Sequence, residues 1–326
     1  MQLVLTSFGT SLSRDNEGFV VSDREGRQRV PVESVSSILI GKGVSVSSDA
    51  MMLATENEII IQIVDRSGMP ISQMWSPKFG SISTIRKGQI DFSKSKDALE
   101  WIKGILAKKI NNQKALIQMM PSHGMKQDNL KSNALLRVQK YLDRLMALEG
   151  ELVQEVAPKI RGLEGSASKV FFEVYSSFLP EQYRFDVRTQ HPAMDIANAM
   201  LNYGYGMLYG KVEAAMLKSG IDPYVGVLHR NEYNRPVLVF DFMEMYRVWV
   251  DFIVFSILSQ EVVNDDFYSV NEDGSVWLEP LGRRIMIQGI NDYFDEVVIM
   301  NNLSRSRESH MELAVQKLAQ KFKSYA

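Results

Sequence analysis

The chain has 326 residues, 45% hydrophobic and 23% charged, enough to bury one large core or two cores of unequal size. It contains no cysteine, which excludes a disulfide framework, a thiolate metal site and a cysteine nucleophile. A formal net charge of -2 and a pI near 6.2 give no whole-chain case for a nucleic-acid partner, and no segment approaches the roughly 20 apolar residues of a membrane span. Met1 to Thr6 lacks the basic flank and long apolar stretch of a signal peptide, so a cytoplasmic protein without a membrane partner is expected.

Taken in chain order, 3–6, 18–22, 27–31, 37–40, 59–64 and 70–75 are β-branched or alternating and read as short strands separated by Gly, Asp, Asn and Ser. A short helix over Met51 to Asn57, entered through Ser48 or Asp49, interrupts them. From Ser93 onward apolar residues recur at helical spacing: Leu99, Ile102, Leu106 and Ile110 make one stripe, and Leu130, Ala134, Arg137, Tyr141 and Leu145 lie on successive turns of a second helix. Pro192 and Pro236 suit the first turn of helices, Ser122 to Asn129 and Asn264 to Ser275 read as exposed loops, and Gly274 suits a small hairpin turn. The expected fold class is α+β, a small β-sandwich-like domain over 1–86, a linker over 87–96, and a larger all-α domain over 97–326 that carries the chemistry.

Charge is unevenly spread. Between Lys78 and Arg144 there are 14 basic residues against 5 acidic ones, which fits either a phosphate-binding face or an ordinary solvated helix surface. Histidine is scarce, with only His123, His191, His229 and His310. His123 and His310 read as surface residues and His191 as part of a turn; His229, at the end of Gly226-Val-Leu-His229, reads as structural when taken alone.

Its neighbourhood changes that weighting. Asp241 and Glu244 stand three residues apart in an otherwise apolar segment, so helical spacing puts both carboxylates on one face. Buried acids need a partner, and both an ion pair with Arg247 and a bound cation satisfy that need. Glu164 lies among small residues in Arg161-Gly-Leu-Glu164-Gly165-Ser-Ala-Ser-Lys169, a setting that lets a phosphate approach and equally suits a glycine-softened helix junction. Together Glu164, His229 and Glu244 form an imidazole and carboxylate set without sulfur, suited to Mg2+ or Mn2+ acting on a phosphodiester. Spacing alone does not separate DNA from RNA, or hydrolysis from strand transfer.

Four blocks then occur in a familiar order: Gly162-Leu-Glu164-Gly165, Ala199-Met-Leu-Asn-Tyr-Gly-Tyr-Gly-Met-Leu-Tyr209, Gly220-Ile-Asp-Pro-Tyr-Val-Gly226-Val-Leu-His229 and Asp241-Phe-Met-Glu244-Met-Tyr-Arg247. In this the chain resembles the Cas-one integrases of CRISPR adaptation, and the β-then-helical plan extends the resemblance over nearly the whole chain. The resemblance implies a homodimer, formed through the N-terminal domain, that works with the small partner Cas-two. It implies double-stranded spacer DNA whose 3′ hydroxyl ends are joined to a CRISPR repeat by metal-dependent transesterification. It assigns Glu164, His229 and Glu244 as catalytic metal ligands, and Asp241 as supporting the site or binding the metal. Asn202, Tyr205 and Arg247 become candidates for phosphate contact or ligand support, and Lys108, Lys109, Arg137 and Lys140 candidates for DNA contact. Two features depart from the family pattern: Arg235-Pro-Val-Leu238 lacks the serine often found before the leucine, and the chain is not basic overall. A metal-dependent nuclease that hydrolyses branched or single-stranded nucleic acid, and a non-enzymatic DNA-binding scaffold, are the alternatives.

Overall fold

The computed structural model describes residues 1–66, 68–76, 83–122, 124–229 and 236–326. Lys78, His123 and Arg235, all considered above, lie outside the described residues.

The N-terminal region holds β1 (Gln2–Leu5), β2 (Ser11–Asp15), β3 (Gly18–Ser22), β4 (Arg27–Val30), β5 (Ser37–Ile40), β6 (Ser45–Val46), α1 (Ser48–Glu56), β7 (Ile60–Val64) and β8 (Pro70–Met74). Two four-stranded sheets form, in the orders β1-β5-β7-β8 and β4-β3-β2-β6. They share a core of Leu3, Leu5, Leu12, Phe19, Val30, Ile38, Ile40 and Ile61, against which Leu53 of α1 packs. Strand β2 escaped the alternation pattern because Ser11-Leu-Ser-Arg-Asp15 carries one apolar residue, Leu12; pairing with β3 and β6 makes it a strand. The cap of α1 is Ser47, one position earlier than expected, with its hydroxyl accepting from Ala50 N at 3.2 Å.

The rest is mostly helical: α2 (Ser83–Phe92), α3 (Lys96–Met119), α4 (Met125–Met146), α5 (Val153–Ser177), α6 (Ile196–Lys218), α7 (Val237–Met243), α8 (Arg247–Ser259), α9 (Pro280–Asp295) and α10 (Arg307–Lys323). Two antiparallel hairpins are set among these helices, β9 (Tyr268–Val270) with β10 (Val276–Leu278) and β11 (Val297–Met300) with β12 (Leu303–Ser306), so this region is not purely α. Gly274, at φ +78°, supplies the left-handed position between β9 and β10.

Several local expectations are corrected. The segment 87–96 is not an extended linker: it contains the second half of α2, and Phe92 is buried against Trp101 and Phe322. Helix α4 starts at Met125 and takes most of the expected 122–129 loop. Pro192 precedes a cap rather than opening a helix; α6 starts at Ile196, with Asp195 Oδ1 accepting from Asn198 N at 2.7 Å. Pro236 does stand at the mouth of α7. Leu130 and Arg137 lie on the exposed side of α4, whose buried stripe is Ala134, Val138, Leu142 and Leu145.

Helix α6 is buried on all sides, which is why it shows no polar face. Its glycines allow two close approaches. A Cβ on Gly204 would stand 2.5 Å from Val250 Cγ1 of α8, and one on Gly210 would stand 2.9 Å from Gln62 Oε1 of β7. Among the described residues no helix is long and apolar enough to cross a membrane.

Candidate metal centre

Helices α3, α5, α7 and α8 converge with the segment ending at His229 on a cleft of about 710 Å³. Glu164, His229 and Glu244 all line it, as do Lys109, Arg188, Tyr205, Arg247 and Asp251. The sequence separation of the three proposed ligands is therefore closed by the fold.

Glu164 projects from the middle of α5, which runs through Gly162 and Gly165 as one uninterrupted helix rather than as a junction. A Cβ added at either glycine meets nothing within 4 Å, so the surface beside Glu164 is open. Its Oε1 accepts from Ser168 Oγ, one turn on, at 2.8 Å. Glu244 sits where α7 gives way to a 3-10 turn, Glu244–Tyr246, before α8 begins. That change of winding sends Asp241 and Glu244 to different partners although they are three residues apart.

Asp241 is fully buried and turned to His229. Its Oδ1 lies 2.6 Å from His229 Nδ1, while Oδ2 accepts from Val227 N at 2.7 Å and Leu228 N at 3.0 Å. A carboxylate so engaged is placed to orient His229, the first of the two roles expected for Asp241. With Nδ1 committed, Nε2 is the nitrogen through which His229 would bind a cation, the carboxylate–histidine arrangement common to metal-binding imidazoles.

Glu244 receives Arg247 Nε on Oε1 at 2.9 Å, as the sequence reading allowed. Its buried Oε2 is met by the Lys109 ammonium at 2.5 Å. Lys109 also pairs with Glu164, so one ammonium spans the two glutamates. Burial would raise the Glu244 carboxyl, but Arg247 and Lys109 outweigh it and hold the group down to about 2. Burial would lower the Lys109 ammonium, but Glu244 and Glu164 raise it.

Lys109, one of the candidates for DNA contact, is only 7% exposed and lies between the two glutamates of the cleft. Lys108, Arg137 and Lys140 are exposed, and Arg137 pairs with Glu173 at 3.5 Å. Asn202 does not face the ligands; it lines a separate pocket with His191, Tyr203 and Trp277, and its amide donates to Thr189 O and Gln190 O. Tyr205 donates to Asp251 Oδ1 and carries Arg247 over its ring, 4.8 Å from the centroid. Burial pushes the Asp251 carboxyl up to about 6 despite the Tyr205 hydroxyl, Arg188 and Arg247. Asp251 and Arg188 were missed in the sequence. Asp251 falls in the apolar run of α8, where only its burial marks it out.

Among the described residues no three His, Asp or Glu side chains already converge at metal-binding distance. The residues nevertheless fit a divalent cation: Glu164 and Glu244, from separate elements, already share one positive charge, and the adjacent imidazole is oriented through Nδ1.

A family model described as CRISPR associated protein Cas1 matches residues 3–292. The CRISPR-associated endonuclease Cas1 1 of Archaeoglobus fulgidus is 30% identical over 279 residues, covering 82% of this chain and 80% of its own. Among solved structures, a casposase bound to integration product superposes with a TM-score of 0.84 at 21% identity, covering 100% of this chain and 91% of that one. A Cas6-RT-Cas1–Cas2 complex gives 0.82 at 21% identity, covering 99% of this chain and 35% of that one. With a family match across nearly its whole length and a relative this similar, the chain belongs to the Cas1 family.

Proposed function

We propose that the protein is a metal-dependent integrase of CRISPR adaptation, joining the 3′ hydroxyl ends of short double-stranded spacer DNA to a CRISPR repeat by transesterification. The observation that carries this reading is the pairing of Glu164 and Glu244 on one cation beside an imidazole oriented by Asp241, within an open cleft. The family name and the likeness to a casposase and to a Cas1–Cas2 assembly support it, and the last supports Cas2 as a partner; a homodimer is the oligomer we propose.

Glu164 and Glu244 through oxygen and His229 through Nε2 would hold Mg2+ or Mn2+. Such a cation, when bound, polarises the scissile phosphodiester and favours deprotonation of the attacking hydroxyl. Asp241 fixes the tautomer and orientation of His229, and Arg247 keeps Glu244 ionised. In the exchange, the spacer's 3′ oxygen forms a P–O bond as the repeat strand's P–O bond breaks. One proton leaves the attacking hydroxyl and one is taken up by the departing 3′ oxygen. One phosphodiester replaces another, so no external energy source is required.

The test uses the protein with its Cas2 partner, spacer DNA bearing 3′ hydroxyls and a supercoiled plasmid carrying the repeat, in Mg2+ or Mn2+. Branched product from wild type and none from His229→Ala is the expected outcome. Nicking without joining assigns the chain to hydrolysis, and joining that survives His229→Ala removes His229 from the ligand set.

A further inference from the structure

Two guanidinium groups flank Tyr205 in the cleft, and their surroundings differ. Arg247 stands 4.8 Å from the ring centroid and is neutralised by Glu244. Arg188 stands 5.4 Å from the same centroid and 5.8 Å from that of Phe172, yet among the described residues it has no carboxylate within ion-pairing distance, 4.0 Å. Its partners are neutral oxygens: Nη1 donates to Asn198 Oδ1 at 2.8 Å and to Thr189 O, and Nη2 donates to Asn202 Oδ1 at 2.6 Å.

Those two asparagines are themselves fixed. Asn198 takes Thr189 N at 3.1 Å and gives its amide to Val187 O at 3.0 Å, and Asn202 ties down Thr189 O and Gln190 O. Arg188 is thus held rigid by the first two turns of α6. A guanidinium has five N–H donors. The three bonds above leave two donors, the Nε hydrogen and one Nη2 hydrogen, for a further acceptor such as a phosphate. A partly buried cation with only neutral partners calls for an anion, and this one lines the cleft that holds the proposed ligands.

Resting on the proposed function, we infer that Arg188 anchors a nucleic-acid backbone phosphate next to the reacting one. Arg247 is spent on Glu244 and Lys109 on both glutamates, whereas Arg188 feels Asp251 and Asp195 only at a distance and, with the exposed Lys169, is left to meet an anion in the cleft. The role is one of binding and register: it sets which phosphodiester reaches Glu164, His229 and Glu244.

The test is a binding scan in EDTA, so that it reads independently of any joining activity. A labelled duplex with a single-stranded 3′ end is prepared with one phosphate at a time replaced by a neutral methylphosphonate, and affinity is measured by fluorescence anisotropy. Wild type is expected to lose about 10-fold at one position, the size of a charge-assisted contact. Arg188→Met binds unmodified DNA about 10-fold more weakly and no longer distinguishes that position. Arg188→Lys, which keeps the charge and loses the guanidinium, shows a smaller penalty at that position and unchanged penalties elsewhere; it decides the matter should Arg188→Met fail to fold. The inference is overturned if no position costs wild type more than about 2-fold, or if Arg188→Met keeps the wild-type penalty. It is also overturned if inorganic phosphate binding, but no position in DNA, depends on Arg188. Absence of joining activity with a position-specific loss intact would overturn the integrase reading and leave the phosphate anchor standing.

Discussion

Glu244 and Glu213 are both buried glutamates of the helical region, yet their carboxyls sit on opposite sides of the ordinary range, at about 2 and about 7. Burial penalises the charge of each. Around Glu244, Arg247 and Lys109 supply positive charge that overcomes the penalty. Around Glu213, on α6, the partners are the Tyr209 hydroxyl at 3.3 Å and the Gln62 amide at 3.2 Å, both neutral. Depth of burial therefore does not separate the proposed ligand from the other acid; the company of cations does. One environment is built for a charged group and the other for a neutral one.

The sharpest way to break this contrast is to remove the shared cation. Lys109→Met leaves Glu164 without its counter-charge and Glu244 with Arg247 alone, and is expected to lower unfolding free energy by at most about 3–5 kcal/mol in EDTA. Mn2+ should then raise the melting temperature of the variant more than that of wild type. Equal Mn2+ shifts in the two proteins, read by calorimetry, would show that Lys109 and the metal do not compete for the same oxygens.

Glu213→Gln addresses the other side. Because the folded carboxyl titrates at about 7, above its ordinary 4.5, the folded state binds the proton more tightly than the unfolded one. The stability this contributes is present at low pH and is lost as pH rises from about 4.5 to about 7. Melting measured across that window should fall more steeply for wild type than for Glu213→Gln, by at most about 3 kcal/mol. Parallel curves would mean that Glu213 is charged in the fold, contrary to the comparison.

The smallest change is Asp241→Asn, which keeps volume and alters only the group that orients His229. Mn2+ affinity, followed by electron paramagnetic resonance, is expected to weaken by about 10–100-fold while the fold is retained. Unchanged affinity would remove Asp241 from the support of the centre.

The strand-then-helix plan was legible because the first 75 residues alternate and the later ones keep helical period. The three proposed ligands were legible through ordered blocks resembling a family, while spacing alone left each ambiguous. Three things were not. Lys109 lies in a run with Lys108, and only the packing of α3 against α5 and the Glu244 turn sends one inward and the other out. Asp241 and Glu244 share a helical face on paper, but the tighter winding at Glu244–Tyr246 separates their roles. Arg188 stands in an irregular stretch, and its position depends on amide oxygens of Asn198 and Asn202 that no periodicity announces.

Helix α6 has one more consequence, which is mechanical. Its 23 residues make a shaft of about 35 Å that is gripped along its length. Asn198 and Asn202 hold the Arg188 loop near one end, Tyr205 meets Asp251 midway, and Gly210 and Glu213 lock onto Gln62 of β7 toward the other. Torque on the sheet containing β7 is therefore delivered along one stiff axle to the wall of the cleft, with no slack helix face to absorb it. Whatever grips that sheet has a direct handle on the Arg188 loop and the wall of the cleft.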